Sequence, residues 1–95
     1  MAAYVIAEID VHNPALFEEY RKLVPATIAK YGGKYLVRGG ATDPKEGGWR
    51  PARVVVLEFP TMEQARNWYH SPEYAPVLAI RLEAANGKMI LAEGV

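Results

Sequence analysis

Three patterns in the sequence predict an α+β, ferredoxin-like domain, with a four-stranded antiparallel sheet carrying its helices on one face. The first is the order of hydrophobic periodicities, which reads β-α-β-β-α-β and matches the split βαβ arrangement. The second is the punctuation between segments, where Asn13-Pro14, Gly32-Gly33 and Thr61-x-x-Gln64 are ordinary helix start and stop signals. The third is a first strand with one wholly apolar face and a mixed opposite face. At 95 residues the chain is a single domain, residues 1–95, with no surplus for a second core.

Residues Tyr4 to Val11 alternate strictly, with Val5, Ala7, Ile9 and Val11 on one face and Tyr4, Ile6, Glu8 and Asp10 on the other. Asn13 then caps a helix whose first position is Pro14, where the missing N–H has no intrahelical acceptor to lose. That helix runs to Tyr31 on the spacing of Phe17, Tyr20, Val24, Ile28 and Tyr31. Pro25 lies within it and predicts a kink or break. Lys34 to Arg38 and Arg53 to Phe59 are the second and third strands, the latter rich in β-branched residues. Between them Gly39 to Ala52 is a long loop containing Trp49, and loops of this length are usually functional or mobile. Thr61 and Gln64 open a helix through Tyr69. Ser71-Pro72 then caps and restarts a helical segment carried by Val77, Leu78, Arg81 and Leu82 to Asn86-Gly87, and Lys88 to Glu93 form the last strand.

With both helices on one side, the helix-facing set is Val5, Ala7, Ile9, Val55, Leu57 and Phe59. The opposite set is Tyr4, Ile6, Glu8, Leu36, Arg38, Val54, Val56 and Glu58. Its apolar centre suits packing against a second sheet. Hydrophobic residues make up 51% of the chain, while a small domain buries only about 60% of its unfolded surface, so apolar area is left for a partner. A homodimer through the bare sheet face is therefore expected. Lys plus Arg equal Asp plus Glu at 11 each without a basic stripe, which argues against nucleic acid and against a polybasic membrane segment. Cysteine is absent, removing disulfides, thiolate metal sites and cysteine nucleophiles. Without a signal-like start or a run of about 20 apolar residues, the expected location is cytoplasmic and off the membrane.

Several words in one order carry a family resemblance. Gly32-Gly33-Lys34-Tyr35-Leu36-Val37-Arg38-Gly39-Gly40, Val54 to Pro60, Ala65, Trp68-Tyr69, Ser71-Pro72-Glu73-Tyr74 and Arg81 together resemble the bacterial family known as domain of unknown function 1330. The resemblance covers nearly the whole chain. It implies a dimeric α+β barrel, two ferredoxin-like sheets closed face to face, and no established activity. Proteins with that barrel include cofactor-independent monooxygenases of the antibiotic-biosynthesis type, muconolactone isomerase-like proteins and haem-degrading enzymes, and a shared fold transfers function only by analogy.

Arg38 leads the candidate site residues, since a guanidinium at a strand end beside Gly39-Gly40 can hold a carboxylate or enolate through paired hydrogen bonds. The structural reading is an ion pair with Glu8 on the same face; the two roles are compatible. Glu8 and Glu58 fall toward opposite sheet ends and make a poor carboxylate dyad, though either alone could act as a base if burial raised its pKa. Tyr20, Trp68, Tyr69 and Tyr74 cluster around the helices, either as core aromatics or as the lining of a cleft between helices and sheet. Ser71 reads as a cap, with no histidine and acid in a recognisable relation to it. His12 and His70 lack metal-ligand spacing, so no metal and no bound cofactor are expected, and His12 is the better placed as a polar group at the barrel mouth.

The leading expectation is a cytoplasmic homodimer that binds a small organic molecule, in one form an acid, near Arg38, with the Gly39 to Ala52 loop as a lid. Arg38, Tyr20, Trp68, Tyr69 and Tyr74 would contact the ligand. If it is an enzyme, a cofactor-independent isomerase or monooxygenase-like reaction fits, with Arg38 stabilising negative charge and His12, Tyr74 or Glu8 moving protons. Two alternatives stand beside it: a non-catalytic structural or ligand-binding dimer module, and a haem-handling protein using His12 or His70.

Overall fold

A computed structural model describes all residues from Met1 to Val95. The elements are β1 (Ala3–Val11), α1 (Pro14–Lys30), β2 (Lys34–Arg38), β3 (Val54–Phe59), α2 (Met62–Tyr69), α3 (Ala75–Ala84) and β4 (Ala85–Glu93). The sheet order is β2-β3-β1-β4, and every neighbouring pair is antiparallel. All three helices lie on one face, giving a slab whose Cα extents are 34 × 33 × 16 Å, thick enough for one helix layer over one sheet.

The predicted helix-facing set forms the core. Val5, Ala7, Ile9, Leu57 and Phe59 are buried beneath Phe17, Val24 and Ile28 of α1 and Trp68 of α2. Asn13 caps α1 by accepting a hydrogen bond from the Leu16 amide at 3.2 Å, and Thr61 does the same for Gln64 at 3.1 Å. The opposite face is left uncovered by the fold, with Ile6, Leu36 and Ile90 all exposed on it.

Four expectations are corrected. Pro25 does not break α1, which continues as one helix from Pro14 to Lys30. The segment after α2 is a separate helix: Ser71 does act as a cap, its hydroxyl accepting from the Tyr74 amide at 3.1 Å, but regular helix begins only at Ala75 after a turn. Asn86-Gly87 is not a helix stop. Both residues already lie in β4, which follows α3 without a loop and pairs Asn86 with Asp10 and Gly87 with Ile9.

The fourth correction concerns Arg38. Residues Tyr35, Val37 and Arg38 pair with Leu57, Val56 and Val55 respectively, so β2 carries one extra residue at Leu36-Val37. Such a bulge inverts the alternation beyond it. Arg38, expected on the open face, therefore shares the helix face with Val55.

Candidate functional site

The inversion delivers Arg38 into a group of basic and aromatic side chains under α1. Pro25 has no N–H to offer the carbonyl four residues earlier, that of Arg21. The Arg38 guanidinium fills that vacancy, its Nη2 donating to the Arg21 oxygen at 3.1 Å. The same guanidinium stacks over the Tyr35 ring, with its carbon 4.6 Å from the centroid. Arg53, immediately before β3, reaches in from the neighbouring strand and lies 5.6 Å from the Phe17 ring centroid. Gly39 makes room for it. With φ of +70°, Gly39 holds a left-handed turn, and a Cβ at that position would sit 2.5 Å from the Arg53 guanidinium carbon.

Arg21, Arg38 and Arg53 thus face one another across Tyr35. Burial, then the charges of Arg21 and Arg38, lower the Arg53 pKa from its ordinary value. The Tyr35 phenol is raised by burial despite the opposing pull of Arg38. The acid beside this group is Glu18, which pairs with Arg21 at 3.3 Å with both side chains largely exposed, and such a surface pair is worth little. The Nε atoms of Arg21 and Arg53 are buried with no hydrogen-bond partner. A site with spare, converging guanidinium donors can hold a carboxylate, an enolate or another small anion.

Deeper in the same layer, the Tyr20 and Tyr74 hydroxyls meet at 2.9 Å. Burial raises the pKa of both phenols strongly for Tyr20, and for Tyr74 against the lowering pull of Tyr20 and Arg81. Both are neutral donors. Trp68 is packed 4.2 Å, centroid to centroid, from Tyr74 and gives its Nε1 hydrogen to Thr27 at 3.1 Å. Tyr69 stands 5.9 Å from Tyr74 by the same measure. The four aromatics do cluster, with Trp68 and Tyr74 wholly buried as core and Tyr20 half-buried at its side.

Other expected residues fall elsewhere. Glu8 remains on the open face and makes no pair with Arg38; its carboxylate accepts from Trp49 Nε1 at 2.8 Å. That bond lays the Gly39 to Ala52 loop against the open face, where Trp49 and the sheet residues Ile6, Glu8, Val54 and Ile90 line a hollow of about 340 Å³. The loop is therefore not a lid over Arg38. The indole finds both apolar surface and an acceptor on the sheet instead. His12 is exposed at the end of β1, where its backbone N–H donates to Ala84 at 3.1 Å. His70 follows α2 and lines a shallow hollow of about 240 Å³ with Tyr69, Met89, Ile90 and Leu91. Glu58 pairs with Lys34 at 3.2 Å at the opposite end of the sheet from Glu8. No three His, Asp or Glu side chains converge on a common point.

Sequence reasoning missed Arg21, Arg53 and Tyr35. Arg21 precedes Pro25 by one helical turn, and Arg53 pairs beside Gly39, so both signals were present in the chain. Linking them required the bulge.

The geometry belongs to a recognisable class, the ferredoxin-like α+β domain. The sequence matches, over residues 2–95, the family described as "Domain of unknown function (DUF1330)", and the chain belongs to that family. No curated protein matches it. Among solved structures it is similar to a protein of unknown function from Rhodopseudomonas palustris, at 13% identity and a TM-score of 0.75 over 99% of this chain and 82% of the other. It is also similar to SnoaB, a cofactor-independent oxygenase from Streptomyces nogalater, at 16% identity and a TM-score of 0.67 over 99% of this chain and 93% of that one. A third is a protein from Nitrosomonas europaea provisionally assigned to the antibiotic-biosynthesis monooxygenases, at 14% identity and a TM-score of 0.62 over 100% and 99%. At such identities the likeness establishes the fold. No helix is long and apolar enough to cross a membrane.

Proposed function

We propose that the protein binds a small organic anion on the helix side of its sheet, at the cluster formed by Arg21, Arg38, Arg53 and Tyr35. The observation that carries the reading is the convergence of three guanidinium groups on Tyr35, with Glu18 on the rim as the acid beside them. Burial first, and then the like charges of Arg21 and Arg38, lower the Arg53 pKa, and a bound carboxylate or enolate would relieve that repulsion. Turnover, where it occurs, is of the kind that needs no bound cofactor: isomerisation, proton transfer or oxygenation of an activated anion. Support for this comes from the fold shared with a cofactor-independent oxygenase, an analogy of architecture, and from the neutral hydroxyls of Tyr20 and Tyr74 beside the cluster. A binding module without turnover would use the same cluster.

The working unit in this reading is a homodimer closed through the open sheet face. Ile6 is 37% exposed, Leu36 49%, Trp49 58% and Ile90 61%, an apolar patch flanked by Glu8, Lys88 and the Lys34–Glu58 pair. A second copy would cover Trp49 and the hollow beneath it. Static light scattering at micromolar concentration tests this, and a monomeric mass would overturn it.

Anion binding is tested by calorimetric titration with hexanoate. Wild type should bind saturably in the millimolar range. Arg38→Met and Arg53→Met should each weaken binding about tenfold or more, the worth of one charge-assisted hydrogen bond, while leaving the fold intact. No saturable binding in wild type, or equal binding in all three proteins, refutes the reading.

A further inference from the structure

Arg81 is the most unusual charge in the molecule. It sits in the last turn of α3 at 4% exposure, yet no carboxylate lies within ion-pairing distance of it. Its Nε is buried without a partner. The guanidinium occupies space left by Gly87 in β4: a Cβ there would fall 2.6 Å from Nη1 and 3.1 Å from Ile9 Cδ1. Arginine cannot shed its proton in a protein, so it cannot escape burial by neutralising. The C-terminal end of α3 offers only a partial negative charge in return. The one side-chain partner of Arg81 is the neutral Tyr74 hydroxyl, so no acid balances the charge; a buried cation held this way is a poor structural element, because well-packed apolar residues commonly do as well or better. Its natural complement is an anion supplied from outside.

The sheet register places this cation relative to the arginine cluster. Ile9 pairs with Gly87 on one side and takes its backbone bond to Arg53 on the other, at 2.8 Å. Arg53 and the Gly87 seat of Arg81 are therefore two strands apart in one row, about 10 Å at ordinary strand spacing. Tyr20 and Tyr74 lie between the two centres, close enough for Arg81 to lower the pKa of both phenols while Tyr20 also feels Tyr35. Phe17 and Ile9 supply apolar surface along the same row. Positive charge at both ends, hydroxyls and apolar side chains between them, and no carboxylate within the row describe a receptor for a two-headed acid.

We infer that Arg81 is an inner anion subsite, so that the ligand is a dianion, a dicarboxylate with an apolar body about the length of a six-carbon chain. The outer carboxylate sits on Arg38 and Arg53, which rests on the binding reading above. The inner carboxylate takes Arg81, entering as Tyr20 swings away from Tyr74. Adipate, hexanoate and malonate are the probes, compared by calorimetric titration of the full chain. Wild type should bind adipate about tenfold or more tightly than hexanoate, because a second charge-assisted contact is added. Malonate, too short to span, should gain nothing over hexanoate.

Arg81→Met should erase the adipate preference while keeping hexanoate affinity, and its melting temperature should be equal to or above that of wild type. Arg38→Met should weaken both ligands. If hexanoate binds and adipate binds no better, the inner subsite is wrong while the arginine cluster stands. If neither binds, both are wrong. Should Arg81→Met fail to fold, the Arg81 Nε–H resonance of wild type decides. A shift with adipate but not with hexanoate upholds the subsite, and no shift with adipate overturns it.

Discussion

Replacing Gly39 by alanine separates two terms that the site geometry combines. The first is backbone strain, since φ of +70° costs a non-glycine residue about 1 kcal/mol. The second is collision. A Cβ would lie 2.5 Å from Arg53 Cζ and from its Nη1, so the guanidinium must retreat by about 1 Å from ordinary contact and leave Phe17, forfeiting a cation–π contact of about 0.5–1 kcal/mol. Arg53 is the flexible partner and will move outward, which caps the second term. The total is about 1.5–2 kcal/mol. With a urea slope of about 1–2 kcal/mol per molar for a domain of this size, the midpoint should fall by about 1 M at unchanged slope. The double-mutant cycle is the sharper assay. In an Arg53→Ala background only the backbone term remains, so Gly39→Ala should then cost about 1 kcal/mol, and hexanoate binding should be weaker than in wild type by about tenfold or more in both backgrounds. An undiminished cost in the Arg53→Ala background would show that Arg53 does not fill the space above Gly39, and would remove the structural basis of the cluster. All four proteins must be compared at one concentration, since the proposed dimerisation would contribute to apparent stability.

Pro25→Ala should stabilise the fold by about 1–3 kcal/mol, because an interior helix regains its missing hydrogen bond, and it should weaken hexanoate binding because the new amide competes with Arg38 for the Arg21 carbonyl. Urea melts paired with titration check both signs. Trp68→Ala should cost about 3–5 kcal/mol, the range for emptying a fully buried aromatic, and a cost under 1 kcal/mol would place Trp68 outside the core. The Glu73 carboxylate is held down to about 2 by hydrogen bonds from Lys30 and Tyr31, the latter at 2.6 Å. Its folded pKa lies below the unfolded value, so its stabilisation is fully present above that value and is lost as pH falls toward 2. Thermal melts of wild type and Glu73→Gln should accordingly converge as pH drops through that window, and parallel curves would contradict the assignment. In the proposed dimer, Ile90→Asp should give a monomeric mass in light scattering where wild type gives a dimeric one, while leaving the melting transition cooperative.

Much of the architecture was legible because short-range chemistry fixes it. Asn13-Pro14, Gly32-Gly33 and Thr61-x-x-Gln64 each act through hydrogen bonds spanning three or four residues, and β1 alternates without a defect along its length. The second half of the chain was harder. Asn86-Gly87 has the composition of a helix stop, but nine paired positions along β1 draw Ala85 to Glu93 into the sheet, and tertiary pairing outweighs local preference. Trp49 could be recognised as a large residue in a long loop, whereas its landing place on Glu8 depends on two segments 41 residues apart. Arg81 had been visible as a motif residue. Its burial without an acid depends on the Gly87 opening across the helix–strand junction.

Arg38 shows how a single inserted residue changes chemistry without changing the elements. Strict alternation from Lys34 would put Leu36 and Arg38 on the open face, leaving the guanidinium to pair with Glu8 inside a dimer interface. The extra residue opposite Val56 turns Arg38 under α1 instead, and the carbonyl exposed by Pro25 is what receives it. Neither feature alone suffices: without the bulge the carbonyl of Arg21 would lack its donor, and without Pro25 the helix would satisfy that carbonyl itself. Two local departures from regular secondary structure, Pro25 and the bulge at Leu36-Val37, thus complete each other's hydrogen bonding and bring Arg21, Arg38 and Arg53 around one tyrosine. Departures that a fold keeps despite their local cost tend to mark functional positions. Both departures meet beside Tyr35, not on the sheet face on which Glu8 lies, which is why the proposed anion site is placed there.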